Sequence, residues 1–212
     1  MTDLWSDRRQ AYVESDAHRQ GEDLDCIVAW AEGARTALDV ATGGGHVARR
    51  LREAGLEVVT TDAAPGMKPD VLCPAEDLPF ANSSFDVVAC RTAAHHFADV
   101  RAAVSEMARV VRGQVLLVDT VSMGAAVEEA ETLRDPSHVR NYTEAEWRQL
   151  VLDAGLALDE VAFFAHTFDV QAWLARTGCE DEEAEQVLAL LGERVVDGRL
   201  TLDKIAIRAR VA

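Results

Sequence analysis

From Thr36 onward, the chain alternates short apolar runs that favour strands with stretches that favour helices. This alternation is typical of a parallel sheet covered by helices, because parallel strands are joined by crossovers that are usually helical. The strand runs are rich in Val and Leu and nearly continuous in apolar residues, as expected for strands buried on both faces. Four runs are clear, and a weaker fifth lies at Asp70–Cys73; the four are TALDVA, LEVVTT, FDVVAC and QVLLVD.

Amphipathic helices are predicted between and after these strands. Apolar residues recur on one helical face before Gly55 and again over residues 100–111. The segment Thr143–Gly155 has the best helix signal, because Thr143 and Glu146 form a capping box at its start and a glycine ends it.

Two more strands are predicted after that helix, at Leu158–Phe168 and Leu202–Arg210, with an acidic helix around Glu182–Leu191 between them. The segment 120–142 interrupts the alternation with a short helix and the loop RDPSHVRNY. Loops beyond the carboxyl end of a strand commonly build or cover a ligand site. We therefore expect a substrate cap at 120–142.

The length and net charge of the chain limit its domain organisation and its partners. A chain of 212 residues fits one domain, so a single domain over 1–212 is expected. The net charge of −16 disfavours nucleic acid and anionic membrane surfaces as partners. The start, MTDLWSDRR, has no apolar signal region, and no apolar run approaches the roughly 20 residues of a membrane helix. A cytoplasmic protein is expected.

The cysteines and histidines give no metal signal. Four cysteines are scattered without metal-like pairing and are read as reduced thiols: Cys26, Cys73, Cys90 and Cys179. No grouping of His, Cys and Asp has the spacing of metal ligands, so no metal is expected.

An acidic residue precedes a glycine-rich turn at the end of the first strand run. In ALDVATGGGHVARRL, Asp39 lies in the strand and Gly43–Gly45 lie at the turn into the helix. Glycines there let the backbone approach a ligand closely, which many dinucleotide enzymes also require. Asp39 discriminates further, because a carboxylate repels a pyrophosphate and attracts a cofactor that carries an ammonium and a sulfonium.

The second strand run ends at Asp62, about 20 residues after the glycines. A carboxylate at this place in such a sheet can accept hydrogen bonds from ribose hydroxyls. The alternative is a helix cap or a turn residue.

Four ordered motifs occur in this chain: DVATGGG, TTD, AEDLPFANSSFDVV and AAHHFADVRAAVSEMARVVRGQVLLVD. Together they resemble the class I S-adenosylmethionine-dependent methyltransferases, and most closely the small-molecule branch (methyltransferase type 11) that includes ubiquinone and menaquinone biosynthesis enzymes. The resemblance spans Leu38–Asp119, and RDPSHVRNYTEAEW extends it to Trp147. It implies an α/β, Rossmann-like three-layer sandwich with a mostly parallel seven-stranded sheet, the last strand antiparallel, and a small cap after the fifth strand.

The resemblance also implies where S-adenosylmethionine binds. Asp39 faces its amino group, Asp62 its ribose, and Ala75 and Glu76 its adenine, while an N-terminal helical lid at 1–35 closes over it. The full set of implied cofactor residues is Tyr12, Asp39, Ala41, Gly43, Gly45, Asp62, Ala75, Glu76 and Cys90.

Three features depart from the family pattern. Ala41 stands where the family has its first glycine, and Pro74 stands where many relatives have an acid that binds the adenine amino group. The stretch from Asp62 to Ala75 is too short for the usual full helix. The expected effect is a more open adenine pocket.

Histidines after the fourth strand are the candidates for catalysis. His95 and His96 lie at the rim where methyl group and acceptor meet in this fold, and either could take a proton from the acceptor or merely pack at a helix start. Asp119 ends the fifth strand on the same edge, where it could orient a histidine, bind substrate or form a turn. The cap supplies further substrate-binding candidates, which alternatively pin the loop to the sheet: His138, Arg140 and Tyr142.

The expected function is transfer of the methyl group of S-adenosylmethionine to a small-molecule acceptor, at oxygen, nitrogen or carbon. Two alternatives remain open. One keeps the cofactor but catalyses a non-methylating reaction, such as a cyclisation or a decarboxylation. The other is a non-catalytic partner that has lost its cofactor.

Overall fold

The computed structural model describes residues 4–211, which build one eight-stranded sheet with helices on both faces. The strands are β1 (Thr36–Val40), β2 (Glu57–Asp62), β3 (Val71–Leu72), β4 (Phe85–Arg91), β5 (Val111–Thr120), β6 (Leu156–Asp169), β7 (Val195–Val196) and β8 (Arg199–Val211). The helices are α1 (Leu4–Glu14), α2 (Asp16–Arg19), α3 (Glu22–Trp30), α4 (His46–Glu53), α5 (Val100–Val110), α6 (Ala125–Arg134), α7 (Glu144–Asp153), α8 (Val170–Ala175) and α9 (Asp181–Leu191).

The sheet has the order β3-β2-β1-β4-β5-β8-β6, and β7 pairs with β8. All pairs among the first five strands are parallel, whereas β8 runs antiparallel to β5, β6 and β7. The predicted mostly parallel sheet with an antiparallel last strand is confirmed. The eighth strand is the two-residue β7, which the sequence analysis did not predict.

The sheet is buried on both faces, which confirms the predicted three layers. On one face, α5 and α7 pack through Met107 and Trp147. On the other face, α3 and α4 pack through Ile27 and Leu51. These four side chains are at most 1% exposed, as expected for the inward faces of amphipathic helices.

The helix at 143–155 begins as predicted. The Thr143 side chain accepts a hydrogen bond from the Glu146 amide, and the Glu146 carboxylate accepts one from the Thr143 amide. The helix ends at Asp153, and Gly155 follows it with a φ of 78°. A left-handed residue after a helix end is the conformation that glycine adopts most easily.

The predicted cap segment 120–142 packs against a later part of the chain. Within that segment, α6 packs through Val127 and Ala130 against α8 and α9, around a third core cluster that contains Trp173, Leu174 and Val187. The elements at 170–191 therefore belong physically with the cap.

The N-terminal helices lie against the end of the sheet where the parallel strands finish. In α1, the Ser6 Oγ accepts a hydrogen bond from the Gly66 amide at 2.7 Å, and Arg8 pairs with Asp135 at 3.0 Å. Between residues 4 and 211, no helix is long and apolar enough to cross a membrane.

Candidate active site

A cavity of about 320 Å³ lies at the carboxyl ends of β1, β2 and β4. This edge is where open α/β sheets bind ligands, and the volume falls in the range of small-molecule sites. Eight of the residues singled out from the sequence line it: Tyr12, Asp39, Ala41, Gly43, Asp62, Ala75, Glu76 and His96.

The turn after β1 has the backbone that the glycines predict. Gly43 has a φ of 52°, and Ala41 has a φ of 54°, in the left-handed region that favours glycine. Ala41 therefore adopts the conformation of the glycine that it replaces. A Cβ on Gly44 would lie 2.8 Å from the His46 Nε2, so a side chain there would crowd the turn.

Asp39 lies beneath this turn and is 1% exposed. Its carboxylate accepts hydrogen bonds from the Thr42 hydroxyl at 2.6 Å and the Ala48 amide at 3.1 Å. Burial raises the pKa of this carboxyl to about 6, although both hydrogen bonds oppose the shift. Because a cation in the cavity would stabilise the charged form, Asp39 fits the amino group of S-adenosylmethionine.

Asp62 ties the end of β2 to the glycine turn. One carboxylate oxygen accepts from the Gly43 amide and the other from the Ala64 amide, each at 2.9 Å. The residue thus holds the turn and also lines the cavity, in a position to accept ribose hydroxyls.

One end of the cavity is formed by residues after β3, where the resemblance implies that adenine binds. Ala75 and Glu76 line it together with Pro74 and Phe97, and the Glu76 carboxylate accepts a hydrogen bond from the Asp99 amide at 3.2 Å. The stretch from Asp62 to Ala75 holds only a 3₁₀ turn at Pro65–Met67 and the short β3, so the predicted loss of a full helix is confirmed.

Two predicted cofactor residues do not line this cavity. The Cys90 side chain is 1% exposed and packs in the core under α5, because alternate residues of β4 face opposite sides of the sheet. The resemblance implies a contact through the Cys90 backbone carbonyl, and that contact stays a prediction. Gly45 caps the start of α4 with a φ of 77°. Its amide donates to the Thr42 carbonyl, so its role is to shape the turn.

Sequence reasoning missed several cavity residues. Trp5 and His18 come from the N-terminal helices. Arg91 ends β4, where the resemblance implies a role for its backbone carbonyl but not for its side chain. Arg91 pairs with the buried Asp23 through two hydrogen bonds of 2.8 and 3.0 Å, and Lys204 of β8 joins the same carboxylate at 3.0 Å. Lys204 follows Leu200 and Leu202 on the buried side of β8, and this charge in an alternating apolar pattern is the sequence signal that points to the cluster.

A second, smaller cavity of about 60 Å³ adjoins the first. The two share the side chains of Tyr12, His18, Thr92 and His96. The second also contains His95 and His138 of the sequence-predicted set, and residues that the sequence analysis missed: Glu131, Arg134, Asp135, Trp173, Arg176 and Lys204.

His95 is paired with Asp119, which agrees with the suggestion that Asp119 could orient a histidine. The His95 Nδ1 donates to the Asp119 carboxylate at 2.5 Å, and the His95 amide donates to the same carboxylate at 2.9 Å. Burial alone would lower the pKa of His95, because it disfavours the charged imidazolium. The charge of Asp119 and its hydrogen bond to His95 outweigh burial, so the pKa of His95 is raised. Because the Nδ1 of His95 is bonded to Asp119, the other ring nitrogen, Nε2, is the one that remains for contacts in the second cavity.

His96 lies between the two cavities. Its Nδ1 donates to the Ser137 carbonyl at 3.0 Å, and its ring meets Trp5 edge-on, with the ring centroids 4.6 Å apart. Burial, together with the neighbouring His95, lowers the pKa of His96 to about 3. His96 is therefore a neutral histidine near pH 7.

The cap residues separate into two groups. His138 is 7% exposed, contacts the Glu128 carboxylate at 2.8 Å and lines the second cavity. Arg140 and Tyr142 instead face α7: Arg140 bonds Glu146 and stacks on the Tyr142 ring, 4.6 Å from its centroid. Tyr142 packs on Trp147, so these two residues pin the loop to the sheet. Neither Arg140 nor Tyr142 lines the two cavities, so substrate binding by them stays a prediction.

The glycine turn over the buried Asp39 fits the cofactor S-adenosylmethionine, as the resemblance implies. Comparison with known proteins gives the same class. The methyltransferase domain family matches residues 38–118. The uncharacterized methyltransferase YcgJ of Bacillus subtilis (strain 168) is 30% identical over 221 residues, which cover 93% of this chain and 87% of YcgJ.

Solved structures agree. The crystal structure of YcgJ matches 89% of this chain and 97% of its own, with a TM-score of 0.82 and 28% identity. A candidate methyltransferase of Bacillus halodurans C-125 matches 90% of this chain and 99% of its own, with a TM-score of 0.80 and 30% identity. This chain belongs to the class I S-adenosylmethionine-dependent methyltransferases, and S-adenosylmethionine is its cofactor.

More distant structures share the fold alone. The 1,6-didemethyltoxoflavin-N1-methyltransferase of Burkholderia thailandensis, solved with S-adenosylhomocysteine, has a TM-score of 0.64 at 16% identity and covers 98% of this chain and 84% of its own. The [4+2]-cyclase SpnF has a TM-score of 0.64 at 15% identity and covers 94% of this chain and 85% of its own.

Proposed function

We propose that the chain methylates a small molecule that binds in the second cavity. The observation that carries this proposal is the arrangement of the two cavities, which meet at His96, with the cofactor side chains on one side and the histidine pair on the other. A small acceptor in the second cavity lies beside the cofactor in the first. The distant fold neighbours include a methyltransferase whose name specifies a small molecule, which supports this substrate class.

The residues of the first cavity fit the cofactor. Asp39 would hold its amino group and Asp62 its ribose, while Ala75 and Glu76 would lie along its adenine. Bound there, S-adenosylmethionine supplies an electrophilic methyl group on a sulfonium. The protein contributes alignment of the acceptor and exclusion of water, which are the main requirements of such a transfer.

We assign the general base to His95 and a positioning contact to His96. A base works best when its pKa lies near the operating pH. Asp119 raises the pKa of His95, whereas the pKa of His96 is about 3, so His95 meets this condition better. In the transfer, the acceptor loses its proton to the His95 Nε2. His96 contacts the acceptor at the junction of the cavities.

The N-terminal lid and the cap would close the site. Trp5, Tyr12 and His18 of the lid line the first cavity, and the segment 120–142 supplies one wall of the second. Closure over a bound ligand would exclude water from both cavities. We place the protein in the cytoplasm, where S-adenosylmethionine is supplied.

The test uses S-adenosylmethionine with a tritiated methyl group and a panel of small hydroxyl, amine and carbon acceptors. The expected result is labelled product formed together with an equal amount of S-adenosylhomocysteine, and a large loss of rate in His95→Ala. The matched control is Gln149→Ala on the surface of α7, which should behave as wild type. Conversion of an acceptor without release of S-adenosylhomocysteine would instead indicate a non-methylating reaction.

A further inference from the structure

Two arginine guanidiniums lie at the wall of the second cavity without a carboxylate partner. Arg134 ends α6, Arg176 follows α8, and both line the second cavity but not the first. Among the side chains that the structure describes, no carboxylate forms an ion pair with either guanidinium. Arginine is the residue best suited to bind a planar oxyanion through two parallel hydrogen bonds.

Arg134 is held rigidly but is not neutralised. The residue is 9% exposed, its Nε donates to the Thr177 hydroxyl at 3.2 Å, and its guanidinium stacks on the Trp173 ring, 4.0 Å from the centroid. In the described part of the chain, its hydrogen bonds use Nε alone, so the donors on both terminal nitrogens are unused. Asp135 and Glu131 act on this guanidinium from beyond ion-pair distance, but burial outweighs them and lowers the pKa of Arg134. A buried cation without a direct ion pair costs stability.

Arg176 faces the same cavity with weaker partners. Its Nη1 donates to the Ser15 hydroxyl at 2.8 Å and to the His18 Nδ1 at 2.9 Å, and its buried Nε has no hydrogen-bond partner. Burial, and then the charge of Arg134, lower the pKa of Arg176 to about 10. The two arginines therefore repel one another in the absence of an anion.

The other charged groups around this cavity are already engaged. Lys204 pairs with Asp23, His95 with Asp119, and Arg8 with Asp135. The remaining acid, Glu131, accepts a hydrogen bond from Asn141, and burial raises its pKa. Asp135 acts on both arginines, and Glu131 acts on Arg134, but neither acid forms an ion pair with them. The donors of the arginine pair are thus left for a ligand, although the whole chain carries a net charge of −16.

We infer that the methyl acceptor carries a carboxylate or another small oxyanion, which binds between Arg134 and Arg176 while the atom to be methylated lies past His96 beside the cofactor. This inference rests on the proposed function. The second cavity, of about 60 Å³, admits a group the size of a carboxylate. The oxyanion is an anchor at the far end of the acceptor, because both arginines line the second cavity and neither lines the first, which contains the glycine turn.

The first experiment measures binding to the protein saturated with S-adenosylhomocysteine. Acetate and benzoate are titrated beside their uncharged counterparts, acetamide and benzamide, and inorganic phosphate is a third arm. Each acid should bind at least about tenfold tighter than its amide, since hydrogen bonds between charged groups are the strong ones. Tighter binding of phosphate than of either carboxylate would identify a phosphorylated acceptor.

Arginine variants locate the effect. Arg134→Met and Arg176→Met should each reduce the preference for acid over amide by about tenfold or more, while Arg148→Met on α7 should leave it unchanged. Acids that bind no tighter than their amides, or a preference that survives both variants, would overturn the inference. A separate titration with S-adenosylhomocysteine tests the cofactor site, so failure of the proposed function is recognised independently.

Two further readouts exclude other roles. If the arginines held the carboxylate of the cofactor, both variants would weaken the binding of S-adenosylhomocysteine. They would not weaken the binding of 5′-methylthioadenosine, because it lacks that carboxylate. This result would overturn the inference. If Arg134 served only to support the fold, Arg134→Met would lower the Tm of the ligand-free protein. We expect the Tm to rise instead, because removal of an unpaired buried charge relieves its desolvation cost.

Discussion

At the scale of single residues, the buried carboxyl of Asp39 gives the first prediction. Its pKa of about 6 means that the group gains a proton as the pH falls through that value, and the protonated form no longer attracts an ammonium. The affinity for S-adenosylmethionine should therefore rise between about pH 5 and pH 7.5. Titration calorimetry across that range measures it.

The Asp39→Asn variant should bind S-adenosylmethionine more weakly than the wild-type protein, and its affinity should change little with pH. The ligand 5′-methylthioadenosine lacks the amino group, and its affinity for the wild-type protein should change little with pH. An equal pH dependence for both ligands would assign the titration to another group.

The second prediction at this scale concerns His95. Asp119 raises the pKa of His95 above its usual value of about 6.5, and a base must first lose its own proton. Turnover under saturating acceptor should therefore increase as the pH rises through that raised value. His95→Ala should lose the inflection, and His96→Ala, whose histidine has a pKa of about 3, should turn over slowly but keep it. Loss of the inflection in His96→Ala would reverse the assignment.

Residues near the strand ends were predictable from sequence because local spacing fixes them. Asp39 and Asp62 lie at the ends of parallel strands and Gly43 follows one, and the structure places all three at one edge of the sheet. Arg134 and Arg176 were not predictable, since they meet only through the packing of α6 against α8 and α9. Residues brought together by long-range packing leave no local pattern in the sequence.

At the scale of elements, the capping box of α7 gives a stability prediction. Thr143→Ala removes the acceptor for the Glu146 amide and should lower the free energy of unfolding by about 0.5–2 kcal/mol. Urea denaturation measures the loss. Cofactor affinity should remain unchanged, because α7 packs on the face of the sheet away from the glycine turn. A variant as stable as wild type would mean that the cap contributes nothing to the fold.

The strands and helices show what periodicity captures. The buried parallel strands were predicted within a few residues, because continuous Val and Leu runs bounded by turns have few alternatives. The strand β7 was missed because two residues carry no periodic signal. Asp197 and Gly198, both with positive φ, form the turn into β8, and an Asp-Gly pair is the sequence signal that could have revealed this hairpin.

At the scale of the whole molecule, the proposed cofactor site predicts a stabilising effect of the ligand. A ligand that binds only the folded state adds about 2.7 kcal/mol of stability at 100 times its Kd. For a chain of this size, S-adenosylhomocysteine at that concentration should raise the Tm by about 5–10 °C. Differential scanning calorimetry measures the shift. Adenine alone, which cannot span the cavity, should give a much smaller one.

The central claim is that S-adenosylmethionine binds at the carboxyl ends of β1, β2 and β4. Calorimetric titration of the wild-type protein beside Asp62→Ala tests it most directly, with Asp153→Ala at the end of α7 as the control. We expect saturable binding to the wild-type protein and to the control, and a loss of about 1–3 kcal/mol of binding free energy in Asp62→Ala. No binding to the wild-type protein, or an unchanged Kd in Asp62→Ala, would contradict this account of the site.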